Sequence, residues 1–139
     1  MPINRGFASH VGYLHGSENY EFGNHDQAYY HKDFWHDALP GDDVVDEIYY
    51  STNWYTERAV GIINNHSLDQ PLWLHLPYQA IHSPYSEPPA WEQIPTGTGF
   101  WDQTLGSMLA VVDSGIGNVT RAMKAREGMW ENTLMILSR

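Results

Sequence analysis

Residues 71–89 read PLWLHLPYQAIHSPYSEPP, and the reading of this stretch decides the fold. Leu72-Trp73-Leu74-His75-Leu76 is a short, nearly unbroken apolar run bounded by prolines. A strand buried on both faces of a parallel sheet has this pattern. Pro77 removes a backbone donor, so a central strand ends near it. The loop that follows holds one histidine, His82, stiffened at its exit by Pro84, Pro88 and Pro89. In open α/β sheets, ligand chemistry gathers just outside the carboxyl ends of the strands. An imidazole in such a place either donates a hydrogen bond to an oxyanion or passes a proton. It can equally be satisfied by a loop carbonyl, and position alone leaves both open.

Working outward, Ser51 and Thr52 are expected to open a helix as hydroxyl N-caps. Trp54, Tyr55, Ala59, Ile62 and Ile63 then share a face, and Asn64-Asn65-His66 closes the helix. A second helix is expected from about residue 100 to 127. Its stripe is Trp101, Leu105, Met108, Leu109, Val112, Ile116, Val119 and Met123. Gly115 and Gly117 each weaken it by roughly 1 kcal/mol relative to Ala and suggest close packing on the sheet; Gly128 suits the position just past its end. Leu134-Met135-Ile136-Leu137 reads as another buried strand. Alternating helices and buried strands imply an α/β fold with parallel strands and right-handed crossover helices. Toward the N-terminus, Val11-Gly12-Tyr13-Leu14 reads as a short strand. Residues 17–50 are polar, aromatic and acidic without clear period, with a turn at Leu39-Pro40-Gly41.

The 139 residues suffice for one ordinary domain, and 42% hydrophobic with 14% aromatic residues excludes a disordered tail. A formal charge of −10 argues against nucleic acid and anionic membrane surfaces as partners, since both need a basic footprint. There is no cysteine, hence no disulfide, thiolate metal site or thiol nucleophile. No apolar run approaches the roughly 18 residues of a membrane span, and the N-terminus lacks the apolar core of a signal peptide.

His25, His31 and His36, interleaved with Asp26, Asp33 and Asp37, are the densest set of candidate ligands. Imidazoles and carboxylates suit zinc, but the spacings match no helical pair, and a solvated polar loop explains them as well. Asp42-Asp43 and Asp46-Glu47 lack the spacing of a calcium loop and read as a solvated turn. His75, in the middle of the apolar run, reads as a core histidine. Asn65-His66-Ser67 and Asn118-Val119-Thr120 are glycosylation sequons, with Asn118 off the apolar stripe of its helix.

Several short motifs occur in a familiar order. Arg5-Gly6-Phe7 with Gly12-Tyr13-Leu14-x-Gly16-Ser17-Glu18 resembles a stretch of the type I sulfatases, in particular their arylsulfatase B, I and J group. The resemblance continues through Tyr50-Ser51-Thr52, Tyr55-Thr56-Glu57-Arg58-Ala59-Val60 and Ile62-Ile63-Asn64-Asn65-His66. It includes Gln70-Pro71-Leu72, Leu76-Pro77-Tyr78-Gln79-Ala80-Ile81-His82-Ser83-Pro84 and Gly117-Asn118-Val119-Thr120-Arg121-Ala122. It implies part of an alkaline-phosphatase-like sandwich, hydrolysis of a sulfate ester, a calcium ion and a formylglycine made from cysteine. By resemblance His82 hydrogen-bonds the sulfate and serves as a catalytic and substrate-binding residue. The substrate implied is a small sulfate ester, and the localisation is the secretory route, lysosomal or extracellular.

The departures set the limits of what is carried over. The Cys-x-Pro-x-Arg nucleophile motif, the metal-binding aspartate pair, the Lys-x-His segment and the later Asp-Asn pair have no counterpart, and Ala8 stands where the family usually has Asp. Residues 1–139 are thus expected to be an internal part of a sulfatase N-terminal catalytic domain, truncated at both ends. Such a piece has no mapped metal ligand, no turnover by itself, and a tendency to aggregate through its uncovered edges. Two alternatives stand beside this: a degenerate, non-catalytic relative used for binding or regulation, and a metal module on His25, His31 and His36.

Overall fold

The computed structural model describes residues 1–14, 20–22, 34–41, 49–95, 97, 99 and 102–138. Two helices carry the chain: α1, Ser51–Asn65, and α2, Gln103–Lys124. In α1 the buried positions include Trp54, Tyr55, Ala59 and Ile63. Ile62, expected on the same face, is exposed, because one residue back lies about 100° round the helix. The N-cap is Tyr50, with no side-chain cap, rather than Ser51 or Thr52, which are the first two residues of the helix. The Ser51 N–H donates instead to the Tyr20 carbonyl at 2.6 Å, so the first orphan donor of the helix is satisfied from another segment.

The second helix begins at Gln103, where the Asp102 carboxylate accepts from the Leu105 N–H at 3.0 Å. Leu109, counted in its apolar stripe, points to solvent, while Val111 is buried. The helix ends at Lys124 with Ala125 as C-cap, so Gly128 (φ 77°) lies further on, in the following turn. There Arg126 turns back and its guanidinium donates to the Ile63 carbonyl in the last turn of α1. Cationic capping of a helix C-terminus satisfies an orphan carbonyl and complements the helix dipole.

The helices meet along Ala59, Ile63, Val119, Ala122 and Met123. Burying a side chain such as Ile63 or Met123 stabilises by about 1.5–3 kcal/mol. Gly115 is the point of closest approach: a Cβ there would stand 2.6 Å from Thr56 Oγ1 and 2.8 Å from the Tyr78 hydroxyl. The expected close packing is present, but against α1 and Tyr78, not a sheet. At Gly117 only an Arg121 side-chain atom approaches, at 3.5 Å.

The strands are short and antiparallel. β1 (Val11–Tyr13), β3 (Phe34–His36) and β4 (Leu39–Pro40) form one sheet in the order β1-β3-β4. β2 (Glu21–Phe22) pairs with β5 (Tyr49–Tyr50), which runs straight into α1. The β3–β4 turn is Asp37-Ala38, with Asp37 at φ 55°, so the expected turn at Leu39-Pro40-Gly41 sits two residues late. Asp37 also ties this hairpin to the segment before β1, its carboxylate accepting from the His10 N–H at 2.8 Å. Phe34 meets Trp54 edge-on, 5.4 Å between centroids, and so seats the three-stranded sheet on the first turns of α1.

The fold is therefore mixed α/β, but all pairings among the described residues are antiparallel. The two runs read as buried parallel strands carry no ladder. In residues 71–78 burial alternates as on a strand with one covered face. Leu72, Leu74 and Leu76 pack on the helix core with Met135 from the second run. Trp73 is 78% exposed, Leu134 84% and Ile136 73%, and His75 is exposed and not a core residue. An unbroken apolar run signals two apolar faces; burial of both requires a layer on each side, and here the helices supply one.

Candidate functional site

His82 stands on the loop that leaves the first of these runs. Tyr78 anchors the entry: its hydroxyl and Thr56 Oγ1 share a hydrogen bond of 2.7 Å, and Thr56 Oγ1 also donates to the Thr52 carbonyl. The chain then turns, with the His82 N–H donating to the Gln79 carbonyl at 2.9 Å. The peptides Ala80–Ile81 and Ser83–Pro84 are cis. The imidazole is exposed, and its Nδ1 lies 2.5 Å from the Ser83 carbonyl oxygen. A carbonyl only accepts, so this contact assigns the proton to Nδ1 and leaves Nε2 as the outward nitrogen.

Two tyrosines that sequence reasoning left in a featureless segment reach this loop. The Tyr20 hydroxyl donates to the His82 carbonyl at 2.7 Å and to the Gln79 carbonyl at 3.2 Å. Tyr50, stacked on Tyr20 at 5.7 Å, donates to the Ser86 carbonyl at 3.1 Å. Both rings are buried, with Met108 and Val111 of α2 around them. Burial pushes the Tyr20 hydroxyl up to about 12, against an opposing pull from its bond to His82. Burial raises Tyr50 as well, helped by the neighbouring Tyr20, and it raises Tyr78 against its bond to Thr56. All three therefore remain proton donors through the neutral range. Tyr50 and Tyr78 stood in quoted motifs, whereas the sequence signal for Tyr20 was the aromatic density of residues 17–50.

His36 is exposed, while His25, His31, Asp26, Asp33, Asp42, Asp43, Asp46 and Glu47 lie outside the described residues. Among the described residues no three His, Asp or Glu side chains come together as metal ligands. The chain holds no cysteine from which a formylglycine could be made. Burial holds the His10 imidazole below its ordinary range, partly offset by Asp37. Both sequon asparagines are exposed: Asn65 Nδ2 donates to the Gly61 carbonyl at 2.8 Å, and Asn118 accepts from Arg121. A groove of about 570 Å³ between α1 and α2 is lined by Glu57, Asn64, Asn118 and Arg121 among others, but not by His82. Among the described residues no helix is long and apolar enough to cross a membrane.

No protein-family model matches the chain. Individual proteins do. Arylsulfatase J of Mus musculus is 33% identical over an alignment of 146 positions, which covers 99% of this chain and 23% of that protein. An uncharacterized sulfatase, YdeN, of Escherichia coli strain K12 is 29% identical over 93 positions, covering 64% of this chain and 16% of its own length. The chain thus spans less than a quarter of the length of these relatives. The first match runs through every motif quoted above, the His82 loop included, and the chain belongs to the sulfatase family.

Proposed function

We propose that this chain contributes to hydrolysis of a small sulfuric ester of the arylsulfatase type, with His82 as the residue facing the sulfate. The overall reaction consumes water, breaks the ester link at sulfur and releases an alcohol and sulfate. In it a protonated His82 donates through Nε2–H to a sulfate oxygen, then passes that proton to the departing alcohol oxygen as negative charge develops there. Donors aimed at developing charge are the main source of such catalysis, and general acid help adds roughly 10²- to 10⁴-fold. The observation that carries this reading is an exposed imidazole whose Nδ1 is already engaged, so that Nε2 faces solvent.

The chain holds no cysteine nucleophile, so by itself it is proposed to bind without turnover. The missing cysteine equally favours a non-catalytic relative that binds sulfate esters. The exposed Asn65 and Asn118 support a secretory, lysosomal or extracellular setting, with glycans at both.

Titrating the chain with para-nitrophenyl sulfate tests the reading by nitrogen NMR of the histidine rings. His82 Nε2 is expected to shift, while the rings of half-buried His66 and exposed His75 stay in place. No shift at His82, or the same shift in all three, removes the proposal. Release of para-nitrophenol by the pure chain at a rate above buffer would overturn the claim that it lacks turnover.

A further inference from the structure

The hydrogen bonds that shape the His82 loop come from residues 62 and 36 positions away along the chain. Gln79, His82 and Ser86 each offer a carbonyl, and each carbonyl is taken by a buried phenol. A phenol has one hydrogen, so the Tyr20 bond is forked, with its shorter arm on His82 and its longer arm on Gln79. The Gln79 carbonyl also accepts from the His82 N–H, which closes the turn into a ring of bonds. With the His82 carbonyl held, the next peptide is oriented, and its Ser83 oxygen lies within reach of Nδ1.

We propose that Tyr20 is a positioning residue for His82: by holding the His82 and Gln79 carbonyls it sets the Ser83 oxygen against Nδ1 and so dictates which ring nitrogen faces outward. Tyr50 supports it from the far end of the loop, stacking on Tyr20 and holding Ser86. This rests on the reading of His82 as the sulfate-facing imidazole, because only there does the identity of the outward nitrogen matter to function. A buried tyrosine suits the task. Its ring is anchored by packing, its hydroxyl has no charge to lose through the neutral range, and that one hydroxyl reaches both the His82 and the Gln79 carbonyl.

The test is the tautomer of His82 in the full 139-residue chain, read from the nitrogen shifts of its ring at a pH where the ring is neutral. In the unaltered chain the Nδ1-protonated form is expected to dominate. Tyr20→Phe keeps the stacked ring and removes only the hydroxyl. It is expected to lower the ratio of Nδ1-H to Nε2-H forms by roughly 2- to 10-fold, the range that losing one ordinary hydrogen bond gives. A residue that merely stabilised the fold would lower the melting midpoint and leave this ratio alone, and a folded Tyr20→Phe chain with an unchanged ratio overturns the proposal. Should Tyr20→Phe fail to fold, Tyr50→Phe decides. A smaller shift in the same direction supports the clamp, and an unchanged ratio overturns it. Failure of para-nitrophenyl sulfate to perturb His82 in the unaltered chain would remove the sulfate reading while leaving the tautomer comparison intact.

Discussion

The α1–α2 pair and the two apolar runs laid against it both carry large apolar side chains, yet those side chains end in opposite environments. Met108 is 0% exposed and Ile63 1%, whereas Trp73 is 78% and Leu134 84% exposed. A helix with one apolar stripe needs one covering layer: α1 and α2 supply it to each other at Ile63 and Met123, and Tyr20 and Tyr50 supply it at Met108. A run apolar on both faces needs two, and only the helix side is supplied among the described residues. Apolar density therefore reports what a segment can bury, and the layers around it decide how much it does bury.

The contrast can be broken by substitution, and the largest effect is expected in the helix pair. Met108→Ala should destabilise the chain by about 2–5 kcal/mol in denaturant unfolding, the cost of a cavity at a fully buried site. A cost below that of any exposed-run change would show that the two regions do not differ. Next comes Gly115→Val, which forces a side chain into the space of Thr56 Oγ1 and the Tyr78 hydroxyl and should cost about 1–3 kcal/mol. Because Tyr78 leads into the His82 loop, amide protection at Gln79 and His82 should fall with it. No loss at the loop would separate the helix crossing from the site.

A third effect comes with alkali. The Tyr20 hydroxyl is raised from its ordinary value of 10.0 to about 12, so the folded chain holds its proton where the unfolded chain has begun to lose it. The sign follows: this contribution is whole below pH 10 and is lost as pH rises toward 12. Melting midpoints should fall across that window, and less steeply in Tyr20→Phe. The smallest effect belongs to the open face, where Trp73→Ser or Leu134→Ser should change stability by less than about 0.5 kcal/mol. Solubility should nonetheless rise, since exposed apolar patches promote association. A loss comparable to Met108→Ala would mean that a partner covers that face in solution.

Much of this molecule was legible beforehand. Both helices fall within a few residues of their expected spans, and the motifs around Arg5-Gly6-Phe7 and His82 identify the relatives later found by comparison. The features that stayed hidden share one property. The β2–β5 pairing joins Glu21 to Tyr50, and the Tyr20 hydroxyl reaches carbonyls 59 and 62 residues on. Nothing near Tyr20 marks it as different from the other aromatics of residues 17–50.

Sequence by itself determined the helices, the absence of a thiol and the kinship with sulfatases, because helical hydrogen bonds close within four residues and motifs are local strings. Tertiary structure alone decided which face of the 71–78 run is covered, that the strand pairings are antiparallel, and which tyrosines hold the loop of His82. Those outcomes depend on groups brought together from distant segments, where burial and hydrogen-bond geometry are set jointly by both sides and written in neither.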